Sequence, residues 1–172
     1  MTPSIRAFAL AALLVPTSVW AADFRQSNWG DTAEDVMASE TATLHHQDPE
    51  EIAYVDSSIE GIDGGVIYLF EYGRLVRGVY VSRSEYKGGA GVLADLDRMR
   101  AYLAEVLGSA GEENRRWLDE SLSDQPEKLA EAISKGHVRL AHSWILERTR
   151  VDLVLTGKAG GVLMRAVFQP AG

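Results

Sequence analysis

The stretch VIYLFEYGRLVRGVYVS, residues 66–82, decides the fold class because it contains two apolar segments joined by a turn signal. A continuous apolar run predicts a strand over 66–71, and a second strand follows over 75–82. Tyr72-Gly73 forms the predicted turn. One face of the first strand carries Val66, Tyr68 and Phe70, and the other carries Ile67 and Leu69. Because both faces are apolar, we predict a central strand covered on both sides.

Upstream of this hairpin, residues 52–59 predict a further strand, although their alternation is poor. Asp63-Gly64 is a two-residue hairpin signal, since both central positions of a type I′ turn need positive φ. The polar segment 45–50 contains Pro49 and is interpreted as a loop. Residues 52–82 are therefore predicted to form a three-stranded meander.

Two helix signals flank the meander. Asp31 resembles an N-cap with the acid Glu34 at N3, which predicts a helix from about Thr32 to Ser39 with Val36 and Met37 facing inward. After a glycine-rich joint at 87–91, apolar residues at steps of three or four predict a longer helix. That helix spans 92–107 and ends at Gly108.

The C-terminal third predicts a second meander. Pro126 and Gly136 bracket a short helix, the order that helix ends favour. Period-2 alternation then predicts three strands, at 138–146, 151–155 and 162–168. The segment 112–123 matches neither pattern and is left unassigned.

Together these elements predict an α+β fold with an antiparallel sheet of about six strands, in two three-stranded meanders, and helices on one face. Residues 22–172 are predicted to form a single domain. Its two helix-plus-meander halves would meet near residues 84–91, which leaves open an internal duplication.

Composition excludes several functional classes. The chain has 172 residues, of which 46% are apolar, and a net charge of −8. It is too apolar for a disordered chain and too acidic for a nucleic-acid binder. Cysteine is absent, so disulfides, thiolate metal sites and cysteine nucleophiles are excluded.

The first 21 residues have the pattern of a secretory signal peptide. Arg6 supplies the positive charge, residues 7–15 are apolar, and Pro16 interrupts them before Ala21. The apolar run is shorter than the ~20 residues that span a bilayer. We predict cleavage after Ala21 and a soluble, periplasmic mature chain with no transmembrane segment.

A metal site is one alternative. His45, His46, Asp48 and Glu50 could supply imidazole and carboxylate ligands to zinc if the loop bends. Adjacent side chains of an extended segment point to opposite sides, so two solvated histidines are the competing interpretation.

Catalytic motifs are weak. Residues 89–94 match Gly-x-Gly-x-x-Ala but follow an antiparallel hairpin, so we interpret them as a joint and predict no cofactor. Gly-x-Ser-x-Gly is absent. A hydrolase would need His137 or His142 beside a serine and an acid. His142 alternates with core positions, and we predict that the protein is not an enzyme.

Aromatic side chains supply the interface candidates. Trp117 lies in the unassigned segment and is the main candidate, whereas Trp29 either joins an interface or packs onto the first helix. Tyr80 and Arg77 are candidates for an outward-facing position on the third strand. Trp144 alternates with core residues and is assigned to the core.

The helix start Phe24-x4-Trp29-Gly30-x-Thr32-x3-Val36 resembles the opening of small exported proteins of uncharacterised function. Gly30, Thr32 and Val36 are also similar to the helix start in the smallest lipoprotein of the outer-membrane β-barrel assembly machine. The helix-on-sheet style is that of β-lactamase inhibitor protein-like folds. These resemblances imply a protein-binding scaffold that is not an enzyme. The lipid-bearing cysteine of that lipoprotein is absent here.

The sequence thus favours an exported, non-catalytic module that binds a protein or an envelope component. A periplasmic carrier of a small ligand or metal is the alternative, and an unrecognised hydrolase ranks third.

Overall fold

The computed structural model describes residues 22–84, 86–109, 113–158 and 161–172, and the predicted signal peptide lies outside them. A helix, α1 (Ala33–Ser39), precedes strands β1 (Thr43–Gln47), β2 (Glu51–Ile59), β3 (Ile62–Glu71) and β4 (Arg74–Ser82). A second helix, α2 (Val92–Leu107), precedes β5 (Glu113–Trp117), a short helix α3 (Leu129–Ser134), β6 (Val138–Ile145), β7 (Thr149–Lys158) and β8 (Gly161–Pro170). Short 3-10 turns lie at Lys87–Gly89, Glu120–Leu122 and Pro126–Lys128.

All eight strands belong to one antiparallel sheet in the order β1-β2-β3-β4-β8-β7-β6-β5. The two meanders meet where β4 pairs with β8, from Gly78 opposite Phe168 to Val81 opposite Arg165. The chain is α+β in the broad sense, but the prediction of about six strands in two three-stranded meanders is wrong. Each meander has four strands.

The two missed strands are the edges of the sheet. β1 was interpreted as part of a loop, and β5 lies in the unassigned segment. Every residue of β1 is exposed, and so is every residue of β5 except the half-buried Trp117. An edge strand pairs on one side only and buries little, so apolar alternation does not mark it.

The first predicted hairpin turn is also displaced. The chain turns at Glu60 and Gly61, which both have positive φ, and Asp63-Gly64 lies inside β3. Gly64 faces the ring of Tyr80, where a Cβ would lie only 2.4 Å from the ring. The glycine there permits close packing rather than a turn.

The first two predicted helices are confirmed within one residue, whereas α3 begins only at Leu129, after the 3-10 turn Pro126–Lys128. α2 spans residues 92–107, and its apolar stripe from Val92 to Leu103 is buried. α1 begins one residue later than predicted, because Thr32 is its N-cap and closes a capping box with Asp35. No helix in the described part of the chain is long and apolar enough to cross a membrane.

One face of the sheet forms the core together with the helices. The buried cluster takes alternate residues from β2 to β4 and β6 to β8, and it takes side chains from all three α-helices. His142 and Trp144 belong to this covered face, as predicted. Its strand residues include Ile52, Tyr68, Tyr80, Leu140, Leu153 and Met164.

The segment 22–30, which we call the N-terminal strap, packs on the covered face where the two meanders meet. The Phe24 ring lies 5.1 Å from the ring of Tyr68 in β3 and 5.0 Å from that of Phe168 in β8. Gly78 makes room for it, since a Cβ there would lie 2.1 Å from the Phe24 ring. The strap therefore joins the two halves of the chain.

Candidate binding face

The other side of the sheet, which we call the open face, carries the alternate side chains of the same strands. The core cluster contains no strand residue from this face and no described helix adds a buried side chain to it, although Val79 and Val154 on this face are themselves buried. Along β3, Ile67 and Leu69 point to the open face and are half-buried. Tyr68 and Phe70 alternate with them, point to the covered face and are buried. The prediction that β3 is covered on both sides is therefore wrong for the part of the chain that the structure describes.

An aliphatic row crosses the centre of the open face. Ala53 lies opposite Ile67, Ile67 opposite Val79, and Val79 opposite Val167. Leu69 and Val81 extend the row along β3 and β4. The solvent face of an antiparallel sheet usually carries polar side chains. A continuous apolar patch there is typical of a partner site.

The β3–β4 hairpin tip adds an aromatic side chain at the end of this patch. Tyr72 is fully exposed and has a φ of 51°, a left-handed conformation that non-glycine residues rarely adopt. Beside it lies an open groove of about 640 Å³, whose lining includes Pro49, Leu69, Val76 and Arg77. Glu50 and Glu71 also line this groove, so the tip offers apolar contacts and charges of both signs.

The β5–β8 half of the open face is instead basic. Registers place Arg116, Arg139, Arg150 and Arg165 on this side of the sheet. Asp152 is its acidic member and accepts two hydrogen bonds from Arg150, at 2.9 and 3.1 Å, and one from Ser143 at 2.5 Å. Burial alone would raise the pKa of Asp152, but these bonds and the charges of Arg150 and Arg139 hold it below the ordinary range.

The predicted interface residues do not form one site. Trp29 and Trp117 are half-buried and pack against the core, and the Trp29 indole N–H donates to Thr149 Oγ1 at 3.0 Å. Tyr80 faces the helices instead of solvent, and its hydroxyl donates to the Ile62 carbonyl at 2.5 Å. Arg77 does face outward, opposite Leu69.

The metal candidates are only partly brought together. His46 Nε2 lies 3.0 Å from Asp48 Oδ2, while His45 sits at a bulge in β1 and Asp48 caps the backbone of Glu50. No group of three potential ligands forms within the described residues. Of the four residues, the structure brings only His46 and Asp48 into contact.

One serine, histidine and aspartate do meet at the surface. His137 Nδ1 lies 3.3 Å from Ser121 Oγ, and its Nε2 lies 3.8 Å from Asp119 Oδ2. The second distance exceeds a hydrogen bond. Asp119 accepts the backbone N–H of Ser121 at 2.8 Å, so its carboxylate orders this turn rather than the imidazole.

A buried polar cluster secures the strap. Glu40 accepts Arg25 Nε and Nη2 at 2.8 and 2.9 Å and the Tyr68 hydroxyl at 2.6 Å. Burial would raise the pKa of Glu40, but bonds from Tyr68, the Ala42 backbone and Arg25 lower it overall. Burial and the bond to Glu40 raise the pKa of Tyr68. The partners of Glu40 are all supplied from within the chain, which indicates a structural role.

Sequence reasoning missed the residues that distinguish the open face. Arg139, Arg165 and Val167 lie at alternate positions of strands that were correctly predicted. Alternation in these strands predicts the core residues, and the residues between them form the open face. Marking arginines at those positions would have found the basic half of the sheet.

Comparisons of this chain with protein families, with curated proteins and with solved structures found no match.

Proposed function

We propose that this protein is an exported, non-catalytic module that binds a protein partner on the open face of its sheet. The carrying observation is the aliphatic row across four strands, in which the half-buried Ala53, Ile67 and Val167 accompany the buried Val79 and no described helix packs on them. Burying such a row against a partner is favourable by roughly 25 cal/mol per Å². The helix-start resemblance to exported scaffolds and the secretory leader pattern support the same function.

Charge indicates the chemistry of that partner. Arg77 and Arg165 border the aliphatic row, and neither has a carboxylate within ion-pair distance among the described residues. A partner with aliphatic side chains flanked by acids would complement both features. We therefore propose that the partner presents an acidic protein surface. The predicted leader supports a periplasmic location.

Site-specific photo-cross-linking in intact cells tests this function. A photoreactive residue replaces Leu69 or Val167 on the open face, and Glu105 on α2 serves as the exposed control position. We expect both open-face positions to capture one common protein, and Ile67→Asp to abolish capture. Mass spectrometry of the cross-linked product also identifies the N-terminus of the protein that carries the photoreactive residue. We expect it at Ala22.

Equal capture from Leu69 and Glu105, or capture that survives Ile67→Asp in a folded variant, would overturn the proposal. Circular dichroism and a urea titration of Ile67→Asp establish that the variant is folded. A captured protein without an acidic surface would overturn the stated partner chemistry.

A further inference from the structure

The arginine-rich end of the open face forms a concavity of its own. Arg116 of β5 lies directly opposite Arg139 of β6. Opposed residues of an antiparallel pair have Cβ atoms about 4.5–5.5 Å apart, and like charges there are destabilising. Neither arginine has a carboxylate within ion-pair distance among the described residues. The pairing therefore costs stability in the isolated chain.

Arg116 and Arg139 line a depression of about 270 Å³ on the open face. Ala141 and Val154 lie opposite each other between the arginines, and both are too short to fill the space. Asn114 adds an amide at the edge of β5. The lining thus combines a small apolar base with nitrogen donors around it.

The acid in this lining does not neutralise it. Asp152 is already bound by Arg150 and Ser143, so three arginines and one aspartate leave two uncompensated positive charges. Arg165 lies opposite Val154, and its Nε is buried without a hydrogen-bond partner. A buried donor left unpaired costs roughly 1–3 kcal/mol. These arginines without an ion-pair partner lie together at the depression, although the chain as a whole has a net charge of −8.

The number of donors indicates the ligand. One arginine fork already satisfies a carboxylate, whereas a phosphate monoester has three terminal oxygens and nearly two charges at neutral pH. We propose that Arg116 and Arg139, supported by Asn114 and Arg165, form a binding site for a phosphate monoester. This site lies beside the aliphatic row and shares Arg165 with its border, but binding of phosphate does not need the protein partner.

Titration of the purified mature protein tests the site. Phenyl phosphate is the probe, and benzoate provides the same ring on a carboxylate. Binding is followed by the NMR signals of the arginine Nε–H groups. We expect saturable binding of phenyl phosphate, with shifts at Arg116 and Arg139, and at least about tenfold weaker binding of benzoate.

Arg139→Gln should weaken phenyl phosphate binding about tenfold or more, the loss expected for a charge-assisted hydrogen bond. Arg115→Gln is the matched control, because Arg115 lies on the same strand, faces the other side and pairs with Glu113 at 2.8 Å. Absence of saturable binding, equal binding of benzoate, or equal weakening by Arg115→Gln would overturn the site.

Vesicles distinguish the source of the phosphate. Phosphatidylcholine vesicles with phosphatidic acid carry the same monoester on a lipid, and pure phosphatidylcholine vesicles are the control. Arginine-dependent binding to the first alone assigns a lipid headgroup, and binding of phenyl phosphate without vesicle binding assigns a soluble ligand. No partner protein is present in these titrations. Their results therefore do not depend on whether the photoreactive residue at position 69 captures a partner.

Discussion

The two faces of the sheet use the same strands for different purposes. On β3, Tyr68 and Phe70 enter the core, while Ile67 and Leu69 between and beside them remain half-buried. Both sets are apolar, so composition does not separate them. The difference lies in what covers each face: helices and the N-terminal strap on one, and no described element on the other. Apolar character on a strand therefore does not by itself show that a side chain belongs to the core.

The largest expected effect separates the faces with one substitution made on each. Leu153→Ala removes a fully buried side chain of the covered face, and we expect a loss of about 2–5 kcal/mol in the free energy of unfolding. Leu69→Ala on the open face should cost roughly 1 kcal/mol or less, because that leucine is only half-buried. Urea denaturation of the purified variants measures both. Equal losses would contradict the assignment of the two faces.

The strap offers an intermediate effect on the covered face. Gly78→Ala places a Cβ against the Phe24 ring, and we expect destabilisation of about 1–3 kcal/mol. In a Phe24→Ala background the same change should cost much less, because the clash is gone. The four free energies of unfolding form a double-mutant cycle. Additive losses would show that the strap does not occupy this position.

The smallest expected effect is a pH dependence that also belongs to the covered face. Burial is the largest cause that lowers the pKa of His142. The charge of Glu113, 3.6 Å away, raises this pKa in part. The charge of Arg100 lowers it further, and that of Asp97 raises it. A histidine whose folded-state pKa is depressed binds protons more readily when unfolded. Stability should thus be complete above about pH 6.5 and fall as the pH drops below it.

His142→Gln removes this titration and should flatten the fall in stability between about pH 7 and pH 5. Urea midpoints across that range measure the slope. A slope unchanged from the parent chain would contradict a titrating, buried His142. His142→Phe provides a second variant in case the amide is poorly accommodated.

Strong periodicity made part of the fold predictable. α2 and the three C-terminal strands follow patterns of 3.6 and 2 residues that arise from local geometry. The Tyr72-Gly73 turn was predicted for the same reason. β1 and β5 were not predicted, because an edge strand is held by backbone hydrogen bonds to one neighbour and its exposed side chains show no apolar alternation. The turn at Asp63-Gly64 was wrongly predicted, because close packing and tight turns both require glycine.

The candidate site was less predictable than the fold. Arg77 was predicted to face outward and does, but Tyr80 alternates into the core because β4 bulges between Leu75 and Arg77. The opposed pair Arg116 and Arg139 depends on a register between β5 and β6, two segments separated by α3. A register of that kind is not encoded in the spacing of residues along the chain.

The sequence by itself determined the local elements, the absence of thiol chemistry and the acidic balance, because propensity, turn chemistry and charge are properties of short segments or of composition. Only the tertiary structure decided that the two meanders join through β4 and β8 and that arginines collect on the side of the sheet away from the helices. Those outcomes depend on contacts between residues far apart in the chain, where pairing and burial select among arrangements that local patterns leave equal.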